Sequence, residues 1–217
     1  MRALGKQAAE PPGRVEPAVA ERQRARQHRH RAFPFDLRQF RTRFCSVQVC
    51  AEFRIVLQKT GLFNHNYFME QLKNELHRAN RFDRPISIIM ADLDLLRNIN
   101  NTYGHLAGDE VLKGVADILK HSVREYDVVA RFGGEEFAIL MPETETDKAI
   151  ERAEYIRREI ENARFSIPTS VQPIQATLSL GIATRENFEQ TGEEVIHNAD
   201  AALYNSKLKG RNRAFAY

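Results

Sequence analysis

Apolar residues fall into periodic patterns only from about Ala51 onward. Phe68, Leu72, Leu76 and Ala79 recur at helical spacing, which predicts an amphipathic helix that closes before Pro85. Ile86 to Ala91 is nearly continuous in apolar character, as expected of a buried central strand, and it ends in Asp92-Leu93-Asp94. A polar, turn-rich stretch then runs to Asp109, followed by a helix whose apolar face is Val111, Leu112, Val115, Ile118 and Leu119. Val128 to Phe132 and Phe137 to Met141 flank Gly133-Gly134, which predicts a hairpin whose turn uses the positive φ angles that glycine tolerates. A third helix carries Ile150, Ala153, Ile156 and Ile160 on one stripe, and Ala176 to Ala183 alternates as a strand. The last helix opens on a capping box, Thr191 with Glu194, and ends before Gly210, with Lys207 and Lys209 in its final turn. Arg213 to Tyr217 can add a short edge strand. The order helix, strand, helix, hairpin, helix, strand, helix, strand predicts an α+β fold with a mainly antiparallel central sheet flanked by helices.

Composition narrows the class. With 217 residues, 42% hydrophobic and 28% charged, the chain is expected to hold one globular domain, or one plus an appendage. Residues 1–50 hold eleven Lys or Arg against four Asp or Glu (+7), and residues 51–217 hold 21 against 25 (−4). The basic part includes Pro11-Pro12-Gly13, then Arg22, Arg24, Arg26, Arg29 and Arg31, without apolar periodicity; residues 1–50 read as a disordered segment and 51–217 as the domain. Such runs are more often solvated tails than arms for nucleic acid or anionic lipid, so no specific nucleic-acid partner is expected. The longest apolar stretches, such as Ile88 to Ala91, fall far short of the roughly 20 residues of a membrane span. The first twenty residues lack the apolar core of a secretory signal. Cys45 and Cys50 have no second pair and read as free thiols in a reducing, cytoplasmic compartment.

Three acids stand out by position. Asp92 lies just past the most apolar strand, and Glu135 and Glu136 follow the hairpin glycines. If the hairpin packs beside that strand the carboxylates crowd together, and a bound divalent cation is the usual compensation. Hard oxygen ligands without His or Cys favour Mg²⁺ or Mn²⁺ over zinc, and Mg²⁺ commonly bridges one or two carboxylates to substrate phosphates. Spacing alone favours a loop aspartate and two solvated glutamates, because acids are common at element ends. Asp92 and Asp94 do not form a calcium loop, and no Gly-Lys phosphate loop is present.

Arg131-Phe132-Gly133-Gly134-Glu135-Glu136-Phe137 resembles the signature of the GGDEF family of diguanylate cyclases in its GGEEF form. Further motifs agree in order and spacing: Thr60 to Asn64, Asp92-Leu93-Asp94 through Asn100-Asn101-Thr102-Tyr103-Gly104-His105 to Gly108-Asp109, and Ala199 to Tyr204 with Lys207 and Gly210-Arg211-Asn212. The resemblance covers residues 57–217 and implies the ferredoxin-like, palm-like fold of nucleotidyl cyclases. It also implies an enzyme that joins two GTP into cyclic di-GMP with release of two pyrophosphates, one GTP on each subunit of a transient homodimer. By the same resemblance Asp92, Glu135 and the Leu93 carbonyl would bind two Mg²⁺ ions per site, with Mn²⁺ as a substitute. Glu136 would contact metal and help deprotonate the attacking 3′-hydroxyl. Asn100 and Asp109 would hydrogen-bond guanine, whose N1 and exocyclic amine are donors. Lys207 and Arg211 would neutralise the terminal phosphates, with main-chain amides near Leu95 and Leu96 and the nearby cation Arg97. Helix capping is a further role for Asp109, and Lys207 and Arg211 also suit a helix C-terminus.

Arg124-Glu125-Tyr126-Asp127 stands at the distance of the family's inhibitory RxxD site, so Arg124 and Asp127 would bind the product cyclic di-GMP. Tyr155 replaces a further arginine of many relatives, which predicts weaker inhibition. Leu57 and Lys59 replace the Asp and Leu of the usual entry motif, Leu96-Arg97 stands for Phe-Lys, and His65 replaces an arginine. A catalytically silent module that senses GTP or cyclic di-GMP is the alternative, disfavoured by the intact Gly-Gly-acid-acid string. A mixed cyclic dinucleotide is disfavoured by Asp109.

Overall fold

In the computed structural model, residues 55–167 and 172–217 are described. The basic segment, both cysteines and the expected domain boundary near residue 50 lie outside them. The described chain runs β1 (Phe63–Asn64), α1 (His65–Phe82), β2 (Ile86–Leu93), α2 (Leu96–Tyr103), α3 (His105–His121), β3 (Val128–Arg131), β4 (Glu136–Pro142), α4 (Thr146–Asn162), β5 (Leu178–Thr184), α5 (Gly192–Leu208) and β6 (Ala214–Ala216). One sheet orders these strands β1-β3-β4-β2-β5-β6. The three pairings among the inner strands β3, β4, β2 and β5 are antiparallel, and β1 and β6 add parallel edges. No helix of the described residues is long and apolar enough to cross a membrane.

The two-residue period of β2 explains the layering. Ile89, Ala91 and Leu93 face a core completed by α2, α3 and α4, whereas Ile86, Ile88 and Met90 face a second core built with Phe68 and Leu72 of α1 and Val195, Ala199 and Leu203 of α5. A strand covered on both faces can be apolar throughout, which is why β2 reads as a continuous run. Asp92 follows Met90 on the α5 side, at the end of that row.

Four details depart from the sequence expectations. The stretch before Asp109 is helical: Leu96–Tyr103 forms α2, and α3 begins at His105, so Asp109 lies inside a helix and is not its cap. The polar sequence of α2 gives little intrinsic preference for a helix; burial of Leu96 and Ile99 holds it in place. Asp92 and Leu93 belong to β2 itself, since both still pair with β5. On α4, Ala153, Ile156 and Ile160 are buried as expected, but the stripe starts at buried Ala149, with Ile150 only half-buried. Finally, the hairpin spans residues 132–135, and neither Gly133 nor Gly134 has a positive φ.

The capping box of α5 is present, with Thr191 Oγ1 accepting from Glu194 N and Glu194 accepting from Thr191 N. Gly181 of β5 lets this helix lie directly on the sheet: a Cβ there would overlap the Ala199 carbonyl and the Leu203 backbone nitrogen. Ser206 Oγ then donates to Leu180 O at 2.6 Å, tying the last turn of α5 to β5. Because both obstacles are backbone, Gly181→Ala is expected to destabilise the domain by about 2 kcal/mol or more, read as a lower denaturant midpoint. An unchanged midpoint would show that α5 can move away from β5 freely.

Candidate active site

Antiparallel pairing brings the acids together. Asp92 of β2 stands opposite Glu136 of β4, and Leu93 N donates to Glu135 O at 3.1 Å. The chain turns back over itself here, with Phe132 N donating to Glu136 O at 2.8 Å. Gly133 is required by close approach rather than by its own dihedral angles, because a Cβ would overlap Glu136 Oε2. Gly134 faces open space.

From the other side of β2, α5 delivers a cation. Lys207 Nζ lies 2.9 Å from Asp92 Oδ2. Burial raises the Asp92 carboxyl above its ordinary pKa; Lys207 and, more weakly, Arg211 pull it down, and Asp94 pushes it up. Glu135 is also raised, first by burial and then by the Asp92 charge, against the pull of Lys207. The two carboxylates therefore sense one another. Arg211 follows α5 with φ +63°, and Asn212 with φ +47°, two successive left-handed residues without glycine. Hydrogen bonds hold them: Arg211 N to Ser206 O at 3.1 Å, Asn212 N to Asp94 Oδ2 at 3.1 Å, and Asn212 Oδ1 from Arg157 at 2.9 Å.

A second cluster sits on α2 and α3. Leu95 enters α2 with φ +58° and no side-chain cap, so backbone amides open the helix. Leu96 is buried beneath this turn, and Arg97 is exposed on it. Asn100 packs against Gly108, where a Cβ would overlap its Oδ1, and that oxygen is buried without a hydrogen-bond partner. Asp109, one residue further along α3, pairs with Lys59 at 2.7 Å.

Residues 58–213 match the family model described as "Diguanylate cyclase, GGDEF domain". The chain belongs to this family. It is 35% identical over 161 residues to the response regulator PleD of Caulobacter vibrioides, covering 74% of this chain and 36% of PleD. It is 39% identical over 157 residues to diguanylate cyclase A of Treponema denticola, covering 71% of this chain and 42% of that protein. The chain thus spans less than half the length of these curated relatives. The GGDEF domain of DgcB from Caulobacter crescentus, solved in complex with c-di-GMP, superposes with a TM-score of 0.72 at 31% identity, covering 76% of this chain and 93% of that one. The active GGEEF domain of a Vibrio cholerae diguanylate cyclase gives 0.66 at 29% identity, covering 71% and 96%.

In this GGDEF domain the structure gathers Asp92, Leu93, Glu135, Glu136, Lys207 and Arg211 at the carboxyl end of β2. Arg124 and Asp127 lie apart, because β3 runs away from them for four residues before reaching the glycine turn. They form a tight turn in which Asp127 Oδ2 accepts from Arg124 N at 2.9 Å. The Arg124 side chain bends toward the Tyr126 ring, 5.9 Å from its centre. Asp127 is buried, its Oδ1 has no partner, and burial raises its pKa against the pull of Arg124 and Arg152. Arg152 of α4 lies over Tyr155, 5.6 Å from its centre, and adds a cation to this corner that the sequence reading did not single out.

Asp94 was also passed over. It accepts from Thr177 Oγ1 and Ser179 Oγ, both at 2.7 Å, and from Asn212 N. The signal lay in strand alternation: Asp94 and Thr177 lie one residue beyond β2 and β5 and continue the face that carries the paired Asp92 and Ser179.

The raised Asp92 pKa sets a pH dependence. In the unfolded chain Asp92 ionises near its ordinary 3.8, and in the folded domain at higher pH. The stability that its protonated form contributes is full below that value and is lost as pH rises through the folded pKa. In chelator, Asp92→Asn is expected to raise the thermal midpoint at pH 7 and to flatten the loss of stability that sets in as pH rises above about 4. A variant midpoint that falls progressively further below that of the natural chain as pH rises would show that Lys207 outweighs burial.

Proposed function

We propose that this GGDEF domain condenses two GTP molecules into cyclic di-GMP. The observation that carries the reading is the convergence of Asp92, Glu135 and Glu136 with Lys207 at one end of the sheet. Two buried or half-buried acids that repel one another, with an ammonium already drawn to one of them, make a place that favours a hard cation. Among the described residues no three Asp, Glu, His or Cys side chains close into a metal cage on their own. Mg²⁺ is commonly held by one or two carboxylates together with substrate phosphates.

Asp92, Glu135, Glu136 and the Leu93 carbonyl are the groups that would hold two Mg²⁺ ions, or Mn²⁺ in their place. When bound, the metal stabilises the attacking and leaving oxygens of an in-line displacement. Everything else falls to the chain. The amides at Leu95 and Leu96 and the cations Lys207, Arg211 and Arg97 would receive the phosphates, whose charge grows as pyrophosphate departs. Asn100 and Asp109 would accept from the base, and Asn100 Oδ1 is a buried acceptor still without a donor. Glu136 would take the proton of the incoming 3′-hydroxyl. Each 3′-oxygen bonds to the α-phosphorus of the other GTP, each α–β phosphoanhydride bond breaks, and two protons and two pyrophosphates leave. One domain holds one such site, so closure of the ring calls for a transient antiparallel homodimer.

Arg124 and Asp127 would bind the product. A guanidinium pairs bidentately with a phosphate or a guanine edge, and Asp127 Oδ1 offers a free acceptor. Arg152 supplies a nearby cation where Tyr155 cannot.

Purified protein with GTP and Mg²⁺ should yield cyclic di-GMP by mass, with a rate that rises more than linearly with protein concentration. Glu136→Gln should lower turnover by about 100-fold or more while the melt is unchanged. Tight GTP binding without product would instead favour a sensing module. Arg124→Ala should weaken cyclic di-GMP binding in titration; identical affinities would remove the inhibitory site.

A further inference from the structure

Asp109 is engaged by a residue fifty positions earlier, Lys59, whose Nζ lies 2.7 Å from Oδ2. The Lys59 side chain is 68% exposed, so packing does not force the contact. A fixed turn places it. Leu57 N donates to Leu62 O at 2.9 Å, Gly61 N donates to Leu57 O at 2.7 Å, and Gly61 takes φ +61°. Leu62 is buried in the core, and Lys120 of α3 donates to Thr60 O at 2.8 Å. The turn is thereby anchored to the same helix that carries Asp109.

We propose that Lys59 is a specificity-determining residue that donates to O6 of the guanine held by Asp109. This rests on the reading of Asp109 as a base-binding acid. A carboxylate only accepts, so it can pair with N1–H and the 2-amino group of guanine. O6 lies beside N1 and is itself an acceptor, so it would face the carboxylate oxygen with nothing between them. An ammonium has three donors and no acceptor. Lys59 spends one on Asp109 Oδ2, and the others are free to bridge to O6 as the base arrives. Adenine presents an amino group at that corner and an acceptor at N1, so the Lys59–Asp109 pair mismatches it at two adjacent positions. The pair therefore reads donor, donor and acceptor along one edge, which neither residue does alone.

The test is equilibrium titration of the full chain, in Mg²⁺, with α,β-methylene GTP and with its 6-thioguanine counterpart, whose sulfur is a poor acceptor. Lys59→Met is expected to bind the oxygen ligand about tenfold more weakly, and Lys59→Arg to keep most of the affinity. Sulfur should weaken binding to the natural chain and cost Lys59→Met nothing further. Equal or tighter binding by Lys59→Met, as expected if the ammonium merely competes with the base, overturns the proposal. So does a sulfur penalty of the same size in both proteins. Asp109→Asn separates the two levels: if it binds like the natural chain, or if the natural chain does not bind, the base-site reading falls and Lys59 falls with it.

Discussion

The pairing of β2 with β4 is the constraint on which the site depends. Residues more than forty positions apart in sequence, Asp92 and Glu136, are made cross-strand neighbours by a register that the apolar alternation of both strands enforces. A slip of one residue would turn Ile88 and Met90 from the α1–α5 core toward α3 and α4, and would carry Asp92 with them. The register that buries the core is therefore the register that crowds the acids. On the opposite flank, the missing side chain at Gly181 brings α5 onto β5, and the same approach puts Lys207 within reach of Asp92.

Several unfavourable features lie at this end of the sheet. A buried carboxylate with a raised pKa, left-handed residues at Leu95, Arg211 and Asn212, and an unpartnered amide oxygen at Asn100 all lie at the proposed substrate face. Each costs free energy and persists only because a rigid surrounding over-determines it. The two cores supply that rigidity. Strained turns directly beyond packed elements keep the amides and cations proposed to receive phosphate fixed in place, and preorganised dipoles of this kind need little rearrangement when charge develops.

Much of this was legible from residue order. The apolar run of β2, the hairpin, the capping box of α5 and the α+β class all follow from local patterns that the tertiary structure reinforces. The unread parts have physical reasons. Helix α2 is polar and Asn-rich, so its existence depends on Leu96 and Ile99 finding a core that no local window displays. The glycine pair suggested a primed turn, whereas Gly133 serves the approach of Glu136, a contact visible only in three dimensions. Polar residues ended the β2 pattern in the sequence but not in the sheet, because Asp92 and Leu93 still have partners on β5. Lys59 looked like a departure from the entry motif, and only the fold brings it to Asp109.

Environment also separates two aspartates that the sequence presents as equals. Asp94 and Asp92 sit two residues apart and side by side, yet Asp94 accepts from Thr177 and Ser179 on one flank and from Asn212 N on the other. Its charge is spent on neutral donors that join β2, β5 and the segment carrying Arg211. Asp92 has one charged partner, Lys207, and burial that this partner does not fully offset. An acid whose acceptors are satisfied by fixed protein donors has little to gain from a cation, whereas one left short gains a great deal. The geometry thus ties the segment carrying Arg211 down through Asp94 and leaves Asp92 as the less satisfied acid, the one proposed above to hold a metal. The negative charge of Asp94, which raises Asp92 further, would make that hold stronger.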